Sequence, residues 1–239
     1  MPAEVQPRVM AREDARARVV HFLFELLYRN RALYWLASTL PFAGQWRVWQ
    51  RLTLERLRGL DTLEVGCGIG TLLADMAQAG YHCQAIDRSP QMVAATRSEL
   101  RRRGVSPQVA SVRQASVQAL PFAAASFDNV VSTFPTEYIA DLDALRELRR
   151  VLRPDGRLIV VLSAMLLPGR ALLAPLVGVQ RLVYGRAATR EPSVGGETPR
   201  MAVALQQRMR VAGFEPRLER VRGPFWVAYV ITATLATNR

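Results

Sequence analysis

The order of apolar and polar positions changes character near residue 60. From Ala15 to about Leu60, apolar residues come at helical spacing or in unbroken runs such as VVHFLFELLY (19–28), with a break at Pro41-Phe42-Ala43-Gly44. Helices are predicted there, one of them through WRVWQRLTLERL (46–57), while the polar residues 1–14 are expected to fray. Beyond residue 60, short apolar runs alternate with amphipathic ones. TLEV (62–65) reads as a strand, and 71–80 as a helix closed by Gly80. HCQAID (82–87) is a second strand. SPQMVAATRSELRRRG is a helix with Ser89 as N-cap, Pro90 in its first turn and Gly104 as its stop. QVASVRQA (108–115) and FDNVVST (127–133) are strands three and four. The helix DLDALRELRRVL (141–152) ends at RPDG, and RLIVVLSA (157–164) is strand five. Strands that alternate with helices imply a parallel sheet covered on both faces. After Ala164 the alternation lapses until a helix at 200–213. Two strands follow, PRLERVRG (216–223) and FWVAYVITATLA (225–236), and their short connection makes them antiparallel.

The expected fold is thus α/β: a Rossmann-like, doubly wound, mostly parallel sheet with an antiparallel final strand, plus N-terminal helices. Residues 1–60 form a helical flank or lid and 61–164 a cofactor-binding core. Residues 165–239 form a substrate-side insertion and the strands that complete the same domain. Half of the 239 residues are apolar, enough for a sizeable core. Two cysteines, Cys67 and Cys83, form no CxxC, and no His/Cys cluster suggests a metal; a reducing cytosol is the expected compartment. The first twenty residues show no secretory signal pattern. Leu158 to Val179 is apolar and long enough to reach across a bilayer. Pro168, Gly169 and Pro175 interrupt it, and its first part reads better as a buried strand.

Charge changes the picture further. The net +12 comes from arginine alone, with no lysine, as a GC-rich coding bias would give. It is unevenly placed: residues 1–60 carry +5, 61–168 are neutral, and 169–239 carry +7. Basic flanks around a neutral core can face nucleic acid, anionic lipid or an acidic substrate.

The candidate chemistry lies in TLEVGCGIGT (62–71), where Gly66, Gly68 and Gly70 separate a strand from its helix. Glycine there lets the chain turn tightly and admits a ligand against the backbone, at the sheet edge where doubly wound folds bind ligands. The spacing is GxGxG, with Thr71 where a dinucleotide fingerprint has its third glycine. Glu64 lies just ahead of the turn. A carboxylate repels a pyrophosphate but favours a cation, which points to S-adenosylmethionine with its sulfonium and ammonium.

These residues carry a resemblance. LEVGCGIG (63–70) resembles the first motif of the class I S-adenosylmethionine-dependent methyltransferases. AIDRSPQMV (85–93), LPFAAASFDNVVS (120–132) and LRELRRVLRPDGRLIVV (145–161) are similar to later motifs in the expected order. The subgroup most resembled includes quinone and phospholipid methyltransferases. The resemblance implies that Glu64, Gly66, Gly68 and Gly70, with Cys67 inside the turn, line the methionine half of the cofactor. It implies that Asp87 accepts from the ribose hydroxyls, that Arg88 and Met92 flank the adenine, and that Ser132 completes the cradle. Asp87 also suits a helix N-terminus, and Cys67 is expected to pack as a small residue rather than react. Where the family often has an acid for the adenine amino group, this chain has Ser116; its hydroxyl, or a backbone group of Val117, would substitute.

The resemblance also implies methyl transfer by in-line displacement, in which the protein aligns the acceptor and excludes water. For an acceptor that needs a base, Glu137 is the candidate, with Tyr138 beside it and His21 behind; Glu137 equally suits the cap of the next helix. His82 is expected to be structural, and Arg101–Arg103 a solvated helix end. Trp35, Trp46 and Trp49 either pack on the sheet or belong to a lid over a greasy acceptor or an edge resting on a membrane surface. The resulting expectation is a cytoplasmic, membrane-associating enzyme that methylates a small apolar acceptor such as a quinone precursor or lipid. An RNA methyltransferase and a non-catalytic cofactor-binding scaffold are the alternatives.

Overall fold

The computed structural model describes residues 44–167 and 200–236. Seven strands form one sheet: β1 (Asp61–Val65), β2 (His82–Asp87), β3 (Ala110–Gln114), β4 (Phe127–Thr133), β5 (Leu152–Leu166), β6 (Phe214–Arg222) and β7 (Trp226–Leu235). The helices described are α1 (Trp46–Arg51), α2 (Thr71–Gln78), α3 (Pro90–Arg102), α4 (Leu142–Val151) and α5 (Arg200–Val211). The strand order is β3-β2-β1-β4-β5-β7-β6. β1 to β5 pair in parallel, and β7 runs antiparallel between β5 and β6. From β1 the chain winds outward through β2 and β3, then returns to lay β4 on the other side of β1. The carboxyl ends of β1 and β4 therefore flank a switch point, where an open α/β sheet leaves a crevice.

Alternation along β1 separates two cores. Leu63 and Val65 join Val130, Leu158 and Val160 under Leu145 and Leu148 of α4 and Met209 of α5. The opposite face carries Ala85, Val131 and Ile159 under Leu72 and Met76 of α2, Val93 and Leu100 of α3, and Trp49 of α1. Both faces of the sheet are covered, which parallel strands require. The caps follow the sequence: the Ser89 hydroxyl accepts from the Met92 amide at 3.3 Å, with Pro90 behind it, and Asp141 accepts from Asp143 at 2.9 Å.

Three expectations are corrected. The helix through 46–57 stops at Arg51, because the Thr53 hydroxyl donates to the Gln50 carbonyl at 2.8 Å and diverts an acceptor the helix would use. A short 3₁₀ turn, Leu54–Arg56, follows. RPDG is not a turn ahead of β5 but a bulge within it: Leu152 pairs with Phe127, and Arg157 is the next residue in register, opposite Asn129. Arg101–Arg103 is not uniformly solvated. Arg103 is 12% exposed and bonds Glu99 at 2.8 Å and Asp75 of α2 at 2.5 Å.

Asp75 also receives Arg47 of α1 at 2.6 Å, so one carboxylate fastens α1 and α3 to α2. Burial pushes the Asp75 carboxyl up, but the two arginines outweigh it and hold it below its ordinary value. Of Leu158 to Val179, the part within the described residues is strand as far as Leu166, buried through Leu162. Among the described residues no helix is long and apolar enough to cross a membrane. The helices expected before residue 44, with His21 and Trp35, lie outside the described residues.

Candidate active site

The glycine turn leaves β1 at the switch point. Gly66, Gly68 and Gly70 have φ of 73°, 55° and 79°, a left-handed region that β-carbon-bearing residues rarely adopt. Two of them are also closed to a side chain. A Cβ on Gly66 would lie 2.7 Å from the Tyr138 hydroxyl, and one on Gly70 2.6 Å from Cγ2 of Thr96. Thr96 was not expected at the site. Its hydroxyl donates to the Gly68 carbonyl at 2.8 Å and lies 3.4 Å from the Cys67 sulfur, tying the turn to α3. A sequence signal exists, since Thr96 falls on the stripe Met92, Val93, Thr96, Leu100 that α3 buries. Cys67 is 5% exposed and burial pushes its thiol well above its usual range, so it packs as expected.

Glu64 points from β1 toward the α2 side and is 1% exposed. The Leu73 amide, in the first turn of α2, bonds its carboxyl, but Oε2 has no hydrogen-bond partner among the described residues. Burial, then the negative charges of Asp87 and Asp75, push its pKa up to about 8. Asp87 ends β2 beside the turn. Its Oδ2 accepts from the Gly68 amide at 3.0 Å and its Oδ1 from the Ser89 amide at 2.9 Å. Burial raises its pKa against the pull of these amides. A carboxylate offers about four lone-pair sites, so each oxygen keeps capacity for a ligand.

The loop after β4 closes the other side. The Tyr138 hydroxyl lies 2.7 Å from Oγ of Ser132 and 3.2 Å from the Val65 carbonyl, which Ser132 also reaches at 3.1 Å. Tyr138 and the fully buried Ser132 therefore meet at the mouth of β1. Glu137 is exposed at the start of a 3₁₀ turn, Glu137–Ala140. It does not cap α4, because Asp141 does.

The remaining candidates spread around the β2–β3 side. Met92 is fully buried in the first turn of α3, while Arg88 is exposed. Ser116 is half-buried and donates to Gln118, which bonds Asp141 in turn; Val117 is buried in the α4-side core. His82 lies at the opposite end of β2 from the turn, largely exposed, 3.4 Å from Asp61.

An aromatic row, only partly expected, borders the β4 end. Trp226, Trp49, Phe134 and Trp46 run from core to rim, with Trp49 edge-on to Trp226 at 6.3 Å and to Phe134 at 6.2 Å. Trp46 stacks on Phe134 at 4.1 Å, and Gln50 donates to the Thr133 hydroxyl at 3.3 Å, seating α1 on the end of β4. Trp49 is thus core, as one of the sequence readings has it. Phe134 has φ of 50°. Such backbone costs a non-glycine residue about 1–3 kcal/mol, and an aromatic stack returns about 0.5–1.5 kcal/mol.

The donor set suits a cationic cofactor. The glycine turn gives close backbone approach, and the orphan oxygen of Glu64 lacks the positive donor that would satisfy it.

Comparison with known proteins agrees. The family model described as a methyltransferase domain matches residues 63–160. The ubiquinone/menaquinone biosynthesis C-methyltransferase UbiE of Serratia proteamaculans is 33% identical over 176 residues, covering 71% of this chain and 66% of that protein. The demethylmenaquinone methyltransferase of Mycobacterium marinum is 36% identical over 151 residues, covering 62% and 60%. The matches thus span 66% and 60% of these relatives' lengths, less than two thirds in each case. A putative S-adenosyl-L-methionine-dependent methyltransferase from Methanococcus maripaludis shares the fold, with a TM-score of 0.60 at 16% identity over 84% of this chain and 90% of that one. Residues 63–160 are therefore a methyltransferase domain, carried on the fold of the class I S-adenosylmethionine-dependent methyltransferases.

Proposed function

We propose that this chain methylates a small, apolar, ring-bearing acceptor of the quinone type, with S-adenosylmethionine as donor. The observation that carries the cofactor half is Glu64: a buried carboxyl with an unpartnered oxygen, behind a glycine turn that excludes side chains. The acceptor half is supported by the relatives, named for ubiquinone, menaquinone and demethylmenaquinone. When bound, S-adenosylmethionine supplies an electrophilic methyl group. Glu64 balances its positive charge in a site from which water is excluded. Gly66, Gly68 and Gly70, with Cys67 between them, leave the backbone bare for close approach. Asp87 holds the ribose with its spare lone pairs, Arg88 and Met92 bound the adenine, and Ser116 or Val117 meets the adenine edge. Tyr138, committed with Ser132 to the Val65 carbonyl, fixes the acceptor loop rather than moving a proton. Glu137, exposed on that loop, takes the acceptor's proton where one must leave. The acceptor reaches the site from an anionic membrane surface, to which the basic flanks attach.

The test is methyl transfer from methyl-labelled S-adenosylmethionine to demethylmenaquinone in detergent, with a Gly66→Val, Asp87→Ala chain as control. Label in the quinone is expected from the wild-type chain alone. Label absent from quinone but incorporated into RNA from a whole-cell extract would overturn the acceptor assignment.

A further inference from the structure

We propose that Phe134 is the surface on which a flat, apolar acceptor ring stacks, and that Trp46 is the positioning residue that holds it there. The proposal rests on the methyltransferase reading and narrows it to planar rings.

Four observations converge. Phe134 directly follows β4 at the carboxyl edge, beside the switch point. It keeps a left-handed backbone, φ 50°, that glycine or asparagine would adopt at less cost. The Trp46 stack and the edge contact with Trp49 hold the ring in place against that strain. Finally, the five-residue loop it begins is pinned at both ends. Trp46 and Gln50 of α1 hold Phe134 and Thr133, and at the other end the Tyr138 hydroxyl reaches the Val65 carbonyl under the glycine turn. The chain thus fixes an aromatic ring, half-buried, one short loop away from the bare backbone that the cofactor needs.

The inner part of the row explains why the ring stays put. Trp49 and Trp226 are buried against one another and supply a floor that cannot shift without disturbing the core. Trp46 and Phe134, further out, are half-buried. Stacked 27° from parallel, Trp46 backs one face of Phe134, and a planar guest would stack on the face away from Trp46, where a flexible alkyl chain gains less.

The experiment titrates the full chain by calorimetry with S-adenosylhomocysteine, then, at saturation, with 1,4-naphthoquinone and with decanol as an aliphatic probe. Phe134→Leu keeps an apolar side chain but loses the flat face. It should weaken naphthoquinone binding at least tenfold, leave decanol unchanged and alter S-adenosylhomocysteine affinity less than twofold. Trp46→Leu should follow it, and Phe134→Tyr and Trp46→Phe should restore naphthoquinone binding. A merely structural role would move all three ligands together, which would overturn the proposal. So would unchanged naphthoquinone affinity in Phe134→Leu, or no naphthoquinone binding by the wild-type chain that binds S-adenosylhomocysteine. Failure of the wild-type chain to bind S-adenosylhomocysteine overturns instead the reading beneath it.

Discussion

Glu64 sets stability against the role proposed for it within one side chain. Its pKa, raised from 4.5 to about 8, means that the folded chain binds a proton that the unfolded chain has already lost over that interval. The sign follows from linkage: stability falls as pH rises from about 4.5 and the loss is complete once pH passes about 8. Glu64→Gln cannot ionise, so its unfolding free energy relative to wild type should climb between pH 5.5 and pH 8.5 by an amount on the order of a few kcal/mol, seen as a rising melting-temperature difference. The same variant should bind S-adenosylhomocysteine about tenfold more weakly, because it offers no charge to the ligand's ammonium. A melting difference flat with pH would show that the carboxyl is not the buried acid described. Glu64 was legible as a residue of the turn region, as were the glycines and Asp87, because the strand, glycine turn and helix that bring them together are marked locally in the sequence. Phe134 was not: its backbone conformation is imposed by the end of β4 and by a ring from α1, and neither leaves a mark in the local sequence. Thr96 sits between these cases, a polar residue on a buried stripe whose partner lies on another element.

At the scale of elements, α1 and α3 meet α2 through Asp75, and the two arginines hydrogen-bonded to it are not equivalent. Arg47 is half exposed at 50%, whereas Arg103 is 12% exposed and Asp75 only 3%. Water screens the first pair and not the second. Arg103→Met should therefore cost about 3 kcal/mol in urea unfolding, since it strips a buried carboxylate of its better-buried partner. Arg47→Met should cost about 1 kcal/mol or less. Equal losses would mean that α1, rather than the helix pair behind it, carries the junction. The sequence could show the Glu99 to Arg103 spacing, which joins one turn of a helix to the next. It could not show Asp75 turning inward from a different helix, and so Arg101–Arg103 read as a solvated end. The strands were legible for the opposite reason. β2 and β4 end where the sequence places them because hydrophobic alternation and flanking turn residues are local. The bulge in β5 escaped, because RPDG carries every mark of a turn and only the pairing of Leu152 and Arg157 with β4 keeps it in the sheet.

The whole molecule is a neutral block between basic flanks, and that arrangement bears on how an acceptor too apolar for water would be met. Residues 61–168 have no net charge, while 169–239 carry +7. Within the described part of that segment, Arg217 and Arg222 lie exposed on β6, the edge strand, and Arg208 and Arg210 on α5 beside the exposed Met201 and Val211. Arginine on an edge strand opposes pairing with another sheet, which accounts for some of it. It does not account for apolar residues exposed among the arginines on the neighbouring helix, a combination that suits the surface of an anionic bilayer. The chain should therefore sediment with vesicles containing about a third phosphatidylglycerol and not with pure phosphatidylcholine, and 0.5 M NaCl should release most of it, since screening at that strength reaches within about 4–5 Å of each charge. Reversing Arg217 and Arg222 to glutamate should weaken the association while leaving S-adenosylhomocysteine binding intact, because both lie away from the glycine turn. Sedimentation that ignores both salt and these substitutions would assign the attachment to apolar insertion instead, and the excess arginine would then need another partner.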